Sequence, residues 1–109
     1  MRRVVIESPY AGDEKTNRAY LVDCLRDSLR RGEAPFASHG QYTEALDDGV
    51  PEDREHGIAA GHAWRRVAEA TVVYTDLGVS RGMLAGIQAA RTLGQVIEWR
   101  SLWPSEGER

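Results

Sequence analysis

The side chains able to do chemistry cluster in two short stretches. "ESPYAG" runs from Glu7 to Gly12, and "TDLGVSRGM" runs from Thr75 to Met83. Each contains one carboxylate at the end of an apolar run, Glu7 and Asp76. A carboxylate in such a place can serve as nucleophile or as acid and base, so both are candidate catalytic residues. A charge that closes an interior strand is costly unless it is paired or used, so Glu7 has two readings: a structural pair, for instance with an arginine, or catalysis. Around Glu7, Ser8 and the amides of Tyr10, Ala11 and Gly12 can donate to a phosphate or hydroxyl, with Pro9 among them. Tyr10 adds a ring and a hydroxyl suited to a base or a sugar. Around Asp76, whose carboxylate is expected to point into a crevice, Gly78 and Gly82 let the backbone approach a ligand. Ser80 is placed as the cap of a helix whose free amides favour an anion, and Met83 stands in that helix's first turn. His39 and Tyr42, from a third stretch, could stack or hydrogen-bond over the same site.

Each of these has a plain structural alternative. A capping serine after a strand occurs in many connections that bind nothing. Asp13 can cap a helix, Asn17 can face solvent, and Asp47 and Asp48 suit a helix start better than an acid/base pair. His56 and His62 are six apart and do not share a helix face, so no metal site is expected. No Walker loop, G-x-G-x-x-G, G-x-S-x-G or H-E-x-x-H occurs. No cofactor is expected.

These residues need elements to position them. Val4–Glu7 is an apolar run ended by Ser8-Pro9, a first strand. Residues 14–31 carry Leu21, Leu25 and Ser28/Leu29 at helical spacing, and Gly32 suits a C-cap. Ala34–Ser38 reads as a second strand, at a sheet edge because Pro35 has no amide to donate. Residues 39–50 read as a polar loop. A helix then starts at Pro51, with Glu52 and Asp53 at its positive end and Ala60, Trp64 and Val67 facing in. Ala70–Thr75 is a third strand, residues 81–93 a third helix with Met83, Ile87 and Ala90 inward, and Val96–Trp99 a fourth strand. Alternating strands and helices predict an α/β fold: a small Rossmann-like, flavodoxin-like three-layer domain with four parallel strands in the order 2-1-3-4. That order reverses between strands 1 and 3, where ligands of such sheets bind outside the carboxyl ends. Both chemical stretches fall at this point.

With 109 residues, the chain is expected to be one domain over residues 1–103 followed by a loose tail, 104–109. A chain of this size has a modest core, and Trp99 and Trp103 have little chain left to cover them, so a homo-oligomer is expected. The net charge of −3 argues against direct DNA binding. No apolar run approaches the ~18 residues of a membrane helix, and "MRRVVIESPY" is too short in apolar residues for a signal peptide. The lone Cys24 excludes an internal disulfide and fits the cytoplasm. The arginine pairs, Arg65/Arg66 among them, are expected in solvent.

With "SPYAG", "GEAPFASH", "GIAAG" and "TDLGVSRGM" in place, residues 3–102 resemble the nucleoside 2-deoxyribosyltransferase-like proteins, and within them small relatives frequent in phages and actinobacteria. The resemblance implies a Rossmann-like domain, usually oligomeric, that takes a nucleoside or nucleotide. Active members cleave or exchange the bond between base and 2-deoxyribose. A glutamate attacks the anomeric carbon to form a glycosyl-enzyme, and an aspartate helps the base leave. Some relatives hold a monophosphate on a serine-bearing loop. By position, Ser80 and Gly82 match that loop, Asp76 matches the aspartate, and Ser8 and Tyr10 fall where the first loop touches sugar. The glutamate's place is taken by Leu84 or by Gly86, depending on the match, and neither can attack.

Three functions follow. One is a nucleotide or nucleoside binder without glycosyl transfer, a sponge or sensor for a nucleotide signal. The second is an N-glycosidase or deoxyribosyltransferase in which Glu7 or Asp76 has taken over. The third is an oligomeric interaction module with a vestigial crevice.

Overall fold

The computed structural model describes residues 1–103; the tail expected over 104–109 lies outside the described residues. Four strands, β1 (Arg2–Glu7), β2 (Glu33–Phe36), β3 (Ala70–Tyr74) and β4 (Val96–Arg100), form one sheet in the order β2-β1-β3-β4. All three pairings are parallel, with Val5 opposite Phe36 and Thr71, and Val73 opposite Trp99. The expected fold class and strand order both hold. Pro35 sits on the edge strand, as its missing amide requires.

Side chains alternate across the sheet, and this divides the core. Val4, Ile6, Val72 and Tyr74 point to one face and pack with Tyr20, Leu21 and Cys24 of α1 (Glu14–Arg30). Val73 points to the other and packs with Met83 and Ile87 of α4 (Arg81–Thr92) and with Ile97. α1 starts at Asp13, whose side chain caps Thr16, and Gly32 follows its end at φ +83, a conformation glycine adopts without strain. Ser28, not Leu29, completes its inward row: Ser28 is fully buried, and its hydroxyl donates to Glu33.

Three expectations fail. Residues 39–50 are not all loop: α2 spans Ser38–Ala45. Its own sequence favours a helix weakly, and tertiary packing supplies the rest. It lies against α3 (Pro51–Val67), where Gly57 comes within reach of Leu46 and Tyr42, and Gly61 within reach of Ser38. That close approach also reverses the reading of α3. The row facing inward is Gly57, Gly61 and Arg65, while Trp64 and Val67 are about half exposed. Arg65, expected in solvent, is buried.

A buried ionic group ties the outer strands together on the α1 face. Arg100 donates two parallel hydrogen bonds to Glu33, at 2.7 and 2.6 Å, and Tyr74 donates to Asp27 at 2.7 Å. The Arg100 guanidinium holds the Glu33 carboxyl down, at about 2. No helix among the described residues is long and apolar enough to cross a membrane.

Candidate functional site

The carboxyl ends of β1 and β3 carry the two candidate carboxylates, and each is engaged by the protein itself. Glu7 follows the alternation of β1 away from α1 and towards α3 and α4. Its Oε2 accepts from Nη2 of Arg65 at 2.6 Å, and its side chain is 12% exposed. Arg65 also donates to Thr71 Oγ1 at 2.5 Å, and Thr71 donates to Gln95. Burial pushes the Glu7 carboxyl above its ordinary value, and the Arg65 guanidinium opposes that rise. The carboxylate lies directly on Gly86: a Cβ there would stand 2.3 Å from Oε2. Glu7 thus fills the volume that a side chain at position 86 would need. Leu84, the other position considered for the missing glutamate, points to solvent, 58% exposed.

Asp76 does not open into a crevice. It accepts hydrogen bonds from Tyr20 OH and Ser101 Oγ, both at 2.6 Å, and from the amides of Leu102 and Trp103. Burial pushes its carboxyl up, but these donors more than reverse the effect and leave it below the usual range. The reason is topological: the chain leaving β4 returns past the end of β3 and finds the charge.

The rest of the second stretch turns the chain, caps α4 or fills the core. Gly78 turns the loop at φ +86, and nothing lies near its missing side chain. Ser80 Oγ accepts from the amide of Met83 at 3.3 Å, capping α4. Met83 is 1% exposed and belongs to the core, so it is not presented to a ligand. Gly82 is exposed and packs only near Ser80.

The first stretch is different: it borders open space. Asn17, for which solvent was the plain alternative, is buried, and its amide donates to the carbonyls of Tyr10 (2.9 Å) and Ala11 (3.1 Å), fixing the loop. Tyr10, Ala11, Gly12 and Glu14 form one wall of a cleft of 690 Å³, and Thr43 to Gly49 form the other. A second cleft of 380 Å³ lies between α1 and β2, lined by Pro9, Tyr10 and His39 together with apolar residues such as Leu21 and Phe36. Tyr10, Thr43 and Glu44 border both clefts, which makes one trough. At its side Ser8 Oγ lies 2.7 Å from Nε2 of His39. Burial pulls the His39 pKa down to about 4, so the ring is neutral at pH 7. Tyr42 stacks edge-on to Phe36 rather than standing over the trough, and Trp64 covers the same ring.

The structure therefore separates the two stretches: Ser8–Ala11 and His39 group around the trough, while Asp76, Gly78, Ser80, Gly82 and Met83 do not line it. Sequence reasoning missed Arg65, Tyr20, Ser101, Thr43 and Glu14. Only Arg65 left a trace, as the fourth-residue continuation of Gly57 and Gly61 on one helix face. Of the carboxylates bordering the larger cleft, Glu44 is bridged by Arg18 at 3.2 Å, from the wall of the second cleft, while Glu14, Asp47 and Asp48 share the larger cleft with no basic side chain. Among the described residues no group of three or more His, Cys, Asp or Glu side chains is placed to hold a metal ion.

Comparison with known proteins places this geometry. The chain is similar to a 2-deoxyribosyltransferase from Bacillus psychrosaccharolyticus, at a TM-score of 0.68 and 17% identity over 94% of this chain and 74% of that one. It is also similar to a 2-deoxyribosyltransferase from Leishmania mexicana, at a TM-score of 0.63 and 14% identity over 93% of this chain and 65% of that one. At such identity the likeness is one of fold. No curated protein matches the chain. Residues 2–100 match the family described as Domain of unknown function (DUF7768), and the chain belongs to that family.

Proposed function

We propose that the protein binds a nucleoside or nucleotide at the carboxyl edge of its sheet, beside the loop Ser8–Gly12, and does not transfer the sugar. The observation that carries this reading is that the protein itself engages both candidate carboxylates, while an open trough lies beside the loop Ser8–Gly12 and is lined by neither. Glu7 is held by Arg65, and Asp76 by four donors, so neither is free to attack. The trough is open and bordered by Tyr10. The fold shared with the 2-deoxyribosyltransferases supports a nucleoside as ligand class. A binder of this kind serves as a sponge or sensor for a nucleotide signal in the cytoplasm. With four carboxylates on its wall, and Arg18 already bridged to one of them, Glu44, the larger cleft favours the uncharged sugar and base over a phosphate.

The test is a thermal-shift screen of nucleosides, mono- and dinucleotides and cyclic nucleotides, with chromatography of the same mixtures. A ligand at 100 times its Kd should stabilise the fold by ~2.7 kcal/mol, with no free base formed. Release of base overturns the reading.

One observation favours the second function. The Glu7 carboxylate lies on Gly86, a position matched to the transferase glutamate. If Glu7 acts from there, wild type releases base from a 2-deoxynucleoside, and Glu7→Gln abolishes release while substrate still binds. The Arg65 pair and the burial of Glu7 weigh against it, because attack needs approach to ~3–3.5 Å.

A further inference from the structure

One ion pair crosses the trough. Glu44, in the last turn of α2, borders both clefts, and Arg18, in the second turn of α1, lines the smaller one. Nη2 of Arg18 lies 3.2 Å from Oε1 of Glu44, so the bridge joins the two helical walls where the clefts meet. Both side chains are more than half exposed, at 56% and 62%. A pair so exposed contributes little to stability, and a competing charge can open it at low cost.

The charge around the pair is one-sided. Glu14, Asp47 and Asp48 border the larger cleft together with Glu44. Among the described residues lining the two clefts, Arg18 is the one cation. The other basic side chain there, His39, is neutral at pH 7, because burial pulls its pKa down to about 4. An anionic group of a ligand therefore has one partner in the trough, and Glu44 already holds it.

We infer that Glu44 is the residue that makes the trough prefer an uncharged nucleoside to its phosphorylated form, by occupying the one guanidinium that a phosphate could use. This inference rests on the nucleoside-binding reading and adds the residue that decides ligand charge. A phosphate that takes Arg18 must first displace Glu44, and the freed carboxylate stays beside it in the trough, like charge against like. A nucleoside leaves the bridge closed. Selection of this kind works through an unpaired charge imposed on the wrong ligand, not through a contact to the right one. Without the Glu44 carboxylate, Arg18 is free to donate to the phosphate. A hydrogen bond between charged groups is worth about tenfold in affinity or more.

The test uses the full chain at low salt, with deoxyadenosine and deoxyadenosine 5′-monophosphate as probes, by calorimetry. The quantity read is the ratio of the two dissociation constants. Wild type should favour the nucleoside. Glu44→Gln should move the ratio about tenfold towards the monophosphate. R18Q/E44Q should lose most of that gain, because the guanidinium carries it. A second variant stands if Glu44→Gln does not fold. Arg18→Gln leaves Glu44 without its counter-charge and should move the ratio the other way, further towards the nucleoside. An unmoved ratio in folded Glu44→Gln or in Arg18→Gln overturns the inference. A double variant that keeps the whole gain overturns it too, as does a wild type that prefers the monophosphate. Failure of wild type to bind either probe overturns the nucleoside reading itself, and the role of Glu44 with it.

Discussion

Glu7 and Gly86 share one volume, and that sharing makes both positions sensitive. Alanine at position 86 is the better helix former by ~0.8–1 kcal/mol. Its Cβ, however, would fall 2.3–2.6 Å from the carboxyl group of Glu7, which a buried guanidinium holds in place. The collision outweighs the propensity, and Gly86→Ala should lose roughly 1–3 kcal/mol in urea unfolding. Removing the charge instead leaves Arg65 buried without its partner. Glu7→Gln should therefore cost roughly 3 kcal/mol of stability, whatever it does to a ligand. His39 and Glu33 set the response to acid. The folded pKa of His39 is about 4, below the ~6.5 of an unfolded chain. The unfolded state thus binds the proton first, and stability falls as pH drops from about 6.5 towards 4, by up to about 3 kcal/mol. For Glu33, held at about 2 by Arg100, the stabilisation is complete above ~4.3 and is lost as pH falls through 2. Urea midpoints measured against pH should show the two losses in that order. His39→Gln should flatten the upper limb alone; a slope unchanged by that variant would assign it to another group.

Helices α2 and α4 show two ways in which a helix is specified. α4 carries its own instructions: Ser80 caps it, and Met83, Ile87 and Ala90 lie in a buried row. Ser80→Ala should remove about 1 kcal/mol, roughly 4 °C in melting temperature for a domain of this size. Because the hydroxyl is already committed to the Met83 amide, the same variant tests the expected anion site. A phosphorylated ligand bound there should weaken by more than the stability loss explains, and unchanged affinity moves the phosphate elsewhere. α2 has no side-chain cap, no acid in its first turn and no base in its last. It exists because α3 offers it a glycine-lined surface, so no local pattern could separate it from a loop. Gly61→Val would push into Ser38, whose Oγ stands 3.3 Å from the site of a Cβ. We expect it to detach α2, seen as lost amide-exchange protection over 38–45 and a changed trough.

At the scale of the molecule, the sheet ends on one side at β4, and Trp99 (54% exposed) and Val96 (55%) stand on that edge strand. An open parallel edge with a half-exposed indole is a pairing surface. We therefore expect self-association at micromolar concentration, measured by light scattering, with Trp99→Lys shifting the protein to monomer. A monomeric wild type would remove the expectation.

What the sequence by itself determined is whatever is encoded in neighbours. The strands were readable because they are short apolar runs bounded by Gly, Pro and Ser, and α1 and α4 because of their spacing and caps. The edge position of β2 followed from the chemistry of one proline, and with it the strand order. The tertiary structure alone decided what the carboxylates do. Arg65 lies 58 residues from Glu7, and Tyr20 lies 56 from Asp76, and no local pattern couples such pairs. Whether a glutamate at a strand end is a nucleophile or half of an ion pair depends on which face the pleat gives it and on what the far chain brings there. Here the pleat turned Glu7 to the face where α3 delivers an arginine, and the return of the chain after β4 gave Asp76 its donors.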